Sequence, residues 1–225
     1  MRKFLISLPV VFFSVGAHAA DLPKRIQAEV PVSTRDGHWE GFYFGATTQF
    51  NLANGHVSIP VYPAVFDLTA RGFSGGVRAG YNHQIGNWVV GLDGNVGLSS
   101  ALGTHNSQFE FVGGYHEIYH ITERWNGSIG PRLGYSWGSL LAYVRGGWAL
   151  VNIRDQFIPP IVGVQSTTFS GWSLGGGVEY ALDRHWTTNL EYRYNNYGHH
   201  IIDHNGLLRL AYTSNQMSLG VSYKF

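Results

Sequence analysis

The last nine residues alternate without a break: Met217, Leu219, Val221, Tyr223 and Phe225 are apolar, while Ser218, Gly220, Ser222 and Lys224 between them are small or polar. Side chains of a strand point to opposite faces in turn, so this pattern specifies a strand with one apolar face and argues against a helix. Three further segments repeat it. Trp88, Val90, Leu92, Val96 and Leu98 are set against Val89, Gly91, Asp93, Asn95 and Gly97. Trp172, Leu174, Gly176, Val178, Tyr180 and Leu182 are set against Ser173, Gly175, Gly177, Glu179 and Ala181. Trp186, Thr188, Leu190, Tyr192 and Tyr194 are set against Thr187, Asn189, Glu191, Arg193 and Asn195.

Turn chemistry orders these strands. Gly86-Asn87, the Trp137-Gly138-Ser139 corner and Asp183-Arg184-His185 are short connections, because Gly, Asn and Asp tolerate the backbone angles of tight turns. Longer stretches rich in Gly, Asn, His or Pro lie around 53–70, 100–117, 155–167 and 199–208. Eight strands are therefore predicted, at about 40–52, 71–84, 88–99, 118–136, 140–154, 168–182, 186–198 and 209–225. Four long connections alternate with three short ones, which places both ends of the barrel on the short-turn side.

Period two alone does not say which face is inside. A soluble β-sandwich or lipocalin-like barrel would put the apolar residues in its core. The opposite faces, however, carry Arg78, Asp93, Arg132, Arg145, Glu179, Glu191 and Arg193. One reversal of facing would put these charges in lipid, where each mid-bilayer Arg costs on the order of 2–4 kcal/mol. Trp and Tyr also gather towards strand ends, as interfacial girdles do. The expected fold is all-β: a closed, antiparallel, eight-stranded transmembrane up-and-down barrel. Its interior is narrow enough to be filled by side chains. The seven charges are expected to form a polar network there, with Glu179 and Glu191 paired against Arg132, Arg145 and Arg193. The chain has no cysteine and thirty glycines. Stability then rests on a fully hydrogen-bonded barrel rather than on disulfides.

The first residues are a targeting segment. Arg2 and Lys3 precede the apolar run Phe4 to Val15, and Ala17-His18-Ala19 supplies the small-residue exit. About a dozen apolar residues fall short of the roughly 20 that a spanning helix needs. Cleavage is expected near Ala20, so residues 1–20 form a signal peptide, 21–38 a periplasmic tail and 39–225 the barrel domain. Removing Arg2 and Lys3 leaves 13 basic against 14 acidic side chains. That balance offers no case for a nucleic-acid partner, which asks for a strongly basic face.

Six blocks resemble one family. They are Trp39-x-Gly41-Phe42-Tyr43-x-Gly45-Ala46, Gly75-Gly76-x-x-Ala79-Gly80-Tyr81-Asn82, Arg132-Leu133-Gly134-Tyr135, Gly171-Trp172-x-x-Gly175-x-Gly177-Val178-Glu179-Tyr180, Glu191-Tyr192-Arg193-Tyr194 and Gly220-Val221-Ser222-Tyr223-Lys224-Phe225. In this order over residues 39–225 they are similar to the OmpA-like and opacity-protein-like small outer-membrane barrels, especially the alphaproteobacterial surface-antigen branch. The resemblance implies a place in the cell outer membrane among lipid and lipopolysaccharide. It also implies that assembly machinery reads the terminal strand, which carries that role onto Phe225 with Tyr223, Val221 and Leu219 as alternating support. The loops around 53–70 and 155–167, with Pro60, Pro63, Pro159 and Pro160, carry no family motif, so a host-surface ligand there is left open.

The residues indicate no cofactor. Hemin binding, described for some members of this branch, makes haem a candidate ligand of His105, His116, His120, His199, His200 and His204, with Tyr115 and Tyr119 beside them. Against it, no tight metal spacing such as His-Glu-x-x-His occurs. His204-Asn205-Gly206 resembles the catalytic neighbourhood of outer-membrane lipid A hydrolases, yet Gly206 stands where the nucleophilic serine would be. The expectation is a non-enzymatic structural and surface barrel displaying four loops, with ligand capture by those loops or narrow porin-like leakage as alternatives.

Overall fold

Every alternating segment forms a strand, and most strands run well beyond their apolar faces. The computed structural model describes residues 38–59, 64–111, 115–158, 165–202 and 208–225. Nine strands lie among them: β1 (Gly41–Ile59), β2 (Ala64–Ile85), β3 (Trp88–Ser99), β4 (Leu102–Phe111), β5 (Tyr115–Trp137), β6 (Leu140–Ile158), β7 (Gln165–Ala181), β8 (Trp186–Ile202) and β9 (Leu208–Lys224). All pair antiparallel. Apart from β3 and β4, each pairs with the next around the sheet, and β1 pairs with both β2 and β9, which closes a barrel. Strands β3 and β4 occupy one stave, since both lie between β2 and β5. Ser100 and Ala101 bridge them, with the Ser100 N–H donating to the Phe73 carbonyl and the Glu123 N–H to the Ala101 carbonyl, both at 2.9 Å. The barrel thus has the eight staves expected.

The short connections are where the sequence puts them. Gly86 and Gly138 turn with φ of +62° and +64°, a region that glycine enters at little cost. At the third turn the Asp183 carboxylate accepts from the backbone N–H groups of Trp186 and His185, both at 2.7 Å. Those two donors hold its pKa below the ordinary carboxylate range.

The long connections require correction. Much of 53–70, 100–117, 155–167 and 199–208 is strand rather than loop. The remaining tips, with Pro60, Pro63, Pro159, Pro160 and His204, lie outside the described residues, as do the predicted signal peptide and all of the 21–38 tail except His38. The extra length has a physical signature in β6. Near its turn, Val144 and Trp148 face out and Arg145 faces in; farther on, Val151 and Ile153 face in while Asn152 and Arg154 face out. The pattern inverts from apolar-out to apolar-in along one strand. The strand therefore crosses an apolar belt and then continues into water.

That belt is bounded by aromatic residues. Near the turns, Trp88 meets Tyr135 at 5.2 Å, Trp186 meets Tyr223 at 5.3 Å and Tyr223 meets Phe225 at 5.2 Å between ring centroids. Towards the far rim, Phe50 meets Phe73 at 5.3 Å and Trp172 meets Tyr194 at 5.6 Å. From Leu140 to Trp148, eight residues rising about 3.3 Å each at a tilt of about 40° span about 20 Å, near the roughly 25 Å apolar band of outer-membrane barrels. Leu219, Val221, Tyr223 and Phe225 all lie on this outer face, Phe225 being 76% exposed.

Candidate functional site

The lumen has three layers. At the turn end, Trp39 is 1% exposed among Val89, Leu141, Tyr143 and Ala181. Its indole Nε1 donates to the Gly138 carbonyl at 3.0 Å, and its backbone N–H donates to Gln84 Oε1 at 3.1 Å. The side chain is thereby fixed across the opening.

The middle layer is charged. All seven predicted residues point inward and are buried, none more than 5% exposed. Arg132 donates to Glu179 at 2.7 Å and Arg78 to Asp93 at 2.8 Å. Arg145 is ion-paired with Asp93 and lies 3.7 Å from Glu191. Arg193 holds Glu191 through Nε at 2.9 Å and Nη2 at 2.5 Å. The expected pairing of Glu179 and Glu191 with Arg132, Arg145 and Arg193 is therefore present. Asp93 joins Arg78 to Arg145, and Arg78 also lies 3.7 Å from Glu179.

Four guanidiniums face three carboxylates in this layer, and two tyrosines stand beside two of the guanidiniums. Arg132 stacks over the Tyr143 ring at 4.0 Å, and Arg78 over the Tyr43 ring at 5.0 Å. An aromatic face attracts a desolvated cation. The hydroxyls are used as well: Tyr43 donates to Asp93, and Tyr143 donates to Glu191 at 2.8 Å. Ser128 and Asn95 accept from Arg193 at 2.9 and 2.7 Å, and the Thr187 hydroxyl donates to Glu179 at 2.8 Å. Sequence reasoning missed Tyr43 and Tyr143. Their signal was available, since both have the inward parity of their strands.

The third layer, towards the far rim, is apolar. It includes Val57, Leu68, Ile121, Val151, Phe169 and Tyr212, each at most 4% exposed. Among them sits one carboxylate, Glu123, which accepts from Asn126 at 2.6 Å and from the Tyr212 hydroxyl at 3.3 Å. Counting by twos from Arg132 would put Glu123 outside. A register shift between Glu123 and Trp125 turns it in, because a bulge adds one residue and flips the facing beyond it.

The histidines divide. His200 stacks on Phe169 at 4.4 Å and its Nε2 donates to the Tyr197 carbonyl at 2.6 Å, whereas His199 is exposed. On the β4–β5 ladder the backbone pairs are Thr104 with His120, His105 with Tyr119 and Glu110 with His116. Among the described residues no three His, Cys, Asp or Glu side chains are grouped to hold a metal ion.

The chain is similar to several known outer-membrane proteins. The chain is 29% identical over 247 residues to a 31 kDa outer-membrane immunogenic protein of Brucella melitensis, covering the whole of both chains. It is 32% identical over 198 residues to a 22 kDa outer membrane protein of Rhizobium leguminosarum, covering 88% of this chain and 82% of that one. Among solved structures it is similar to Neisserial surface protein A, at 21% identity and a TM-score of 0.43 over 82% of this chain and 97% of that one. Residues 5–225 match the model of the outer membrane protein beta-barrel domain. The protein is a cell-outer-membrane β-barrel and belongs to that family.

Proposed function

We propose that this barrel is a non-catalytic surface protein, closed along its axis, that stands in the outer membrane with its turns in the periplasm and presents its far rim and four loops outside. The observation that carries the reading is the stacked lumen: an indole at one end, a paired charge network in the middle and an apolar layer at the other. A conducting pore needs a continuous polar path, and the apolar layer interrupts one. The wall beyond the belt supports display, because strands of 17 to 23 residues exceed the roughly 9–11 that crossing requires. The relatives' description as immunogenic proteins agrees with exposure at the cell surface.

The test uses one protein in two settings. An epitope placed between Pro159 and Pro160 is expected to bind antibody on intact cells, and one placed after Gly138 only on permeabilised cells. In planar bilayers the refolded protein is expected to show no steady conductance steps. The reverse epitope pattern overturns the orientation, and stable ohmic steps overturn the closed lumen.

A further inference from the structure

One row of residues crosses four strands on the outer face just past the belt. Arg71 pairs with Leu102, Leu102 with Thr122, and Thr122 with Arg154. Arg124 joins this row because the bulge in β5 adds a residue there. His120, Thr122, Arg124 and Arg154 line a hollow of about 260 Å³. Arg71, Arg124 and Arg154 are all exposed. Among the described residues no carboxylate lines the hollow; Glu123, beside Arg124 in the chain, is buried in the lumen. On the neighbouring β1–β2 wall the Asp67 carboxylate is engaged by His56 at 2.6 Å.

Below the row, towards the turns, the surface becomes apolar. Trp125 pairs with Leu98 in the register, and Trp148 is 58% exposed on β6. The site is thus a set of guanidiniums directly above a greasy, aromatic wall. Guanidiniums match phosphate geometry through paired N–H donors and are weakly hydrated, so they suit phosphate at an interface. Adjacent staves lie about 4.8 Å apart, so Arg71 and Arg154, three staves apart, span about 14 Å. That span accommodates a large headgroup as well as a single anion.

We propose that Arg71, Arg124 and Arg154 form a binding site for the phosphate groups of lipid A in the outer leaflet, whose acyl chains lie along the Trp125–Trp148 wall. This rests on the far rim facing outward. Phosphate could also reach the hollow as free anion, and the apolar wall selects the amphiphile.

The test uses the mature protein refolded in detergent micelles, with radiolabelled lipid A, chemically dephosphorylated lipid A and inorganic phosphate as probes. Arg71→Gln/Arg124→Gln/Arg154→Gln is compared with wild type and with Arg209→Gln, an exposed arginine on β9 outside this row. Loss of charge-assisted hydrogen bonds is expected to weaken lipid A binding by about tenfold or more in the triple variant. Arg209→Gln should bind as wild type does, and dephosphorylated lipid A should bind wild type no better than lipid A binds the triple variant. Equal binding by wild type and triple variant overturns the site. Equal binding of dephosphorylated lipid A overturns the phosphate chemistry, and displacement by equimolar inorganic phosphate overturns the lipid as its source. The Pro159–Pro160 epitope is scored on cells for each variant. A hidden epitope counts against the orientation, whereas a displayed epitope with unchanged lipid A binding counts against this site alone.

Discussion

Glu179→Gln is expected to destabilise the barrel by about 3–5 kcal/mol, because removing one partner of a buried ion pair leaves the other uncompensated. Its partner Arg132 is 1% exposed, donates to Glu179 at 2.7 Å and otherwise meets the Tyr43 hydroxyl and the faces of the Tyr43 and Tyr143 rings. The charge count adds a direction. In the middle layer four buried guanidiniums already exceed three carboxylates, so Glu179→Gln enlarges the surplus there while Arg132→Met removes it. Arg132→Met should therefore cost less than Glu179→Gln, and the double variant should recover part of the Glu179→Gln loss. Urea unfolding of the refolded barrel in lipid vesicles measures all three, with the exposed Ser170→Ala as the neutral reference. Equal losses for both single variants would contradict the effect of the surplus charge, and losses no larger than that of Ser170→Ala would show that the network does not hold the barrel together.

The apolar layer makes the second large contribution. Phe169 is 1% exposed, stacks on His200 and belongs to the same cluster as Tyr197 and Tyr212. Phe169→Ala is expected to cost about 3–5 kcal/mol, since truncating a buried aromatic loses its transfer energy and leaves a cavity. Phe169→Leu, which keeps most of the volume, should cost less than half as much. The same urea unfolding separates them. A Phe169→Ala barrel as stable as the parent would mean that this end of the lumen is wet rather than packed.

The sequence made the belt legible and hid the rim, for one physical reason. Inside the belt, lipid demands apolar residues outward, and seven charges marked the other face as the lumen. Period-two counting then placed Arg78, Asp93, Arg132, Arg145, Glu179, Glu191 and Arg193 inward, where they lie. Past the belt the outer solvent is water, so the alternation inverts to apolar-in and polar-out. Strand segments such as 53–57 or 67–70, with Asn54, His56, Asp67 and Thr69 on their wet faces, then look like loops by composition. Bulges hid the remainder. The register shifts at Glu123/Trp125 and Asn196/His199 reverse the facing beyond them, so counting through them misplaces Glu123 and His200. Trp39 was read as part of a family block, and its role as the stopper at the turn end depends on hydrogen bonds to Gly138 and Gln84, which are distant in sequence.

Within the belt, polar and charged residues line the middle of the lumen while the alternate residues meet lipid. Spin labels placed singly at Ser173, Asn189 and Ser218 on the inner face, and at Leu133, Leu174 and Leu190 on the outer face, test it in vesicles by relaxation with oxygen, which concentrates in lipid. The barrel described here predicts high oxygen accessibility at the three leucine positions and low accessibility at the three polar ones. High accessibility at 173, 189 and 218 with low accessibility at 133, 174 and 190 would mean that the barrel is inside out.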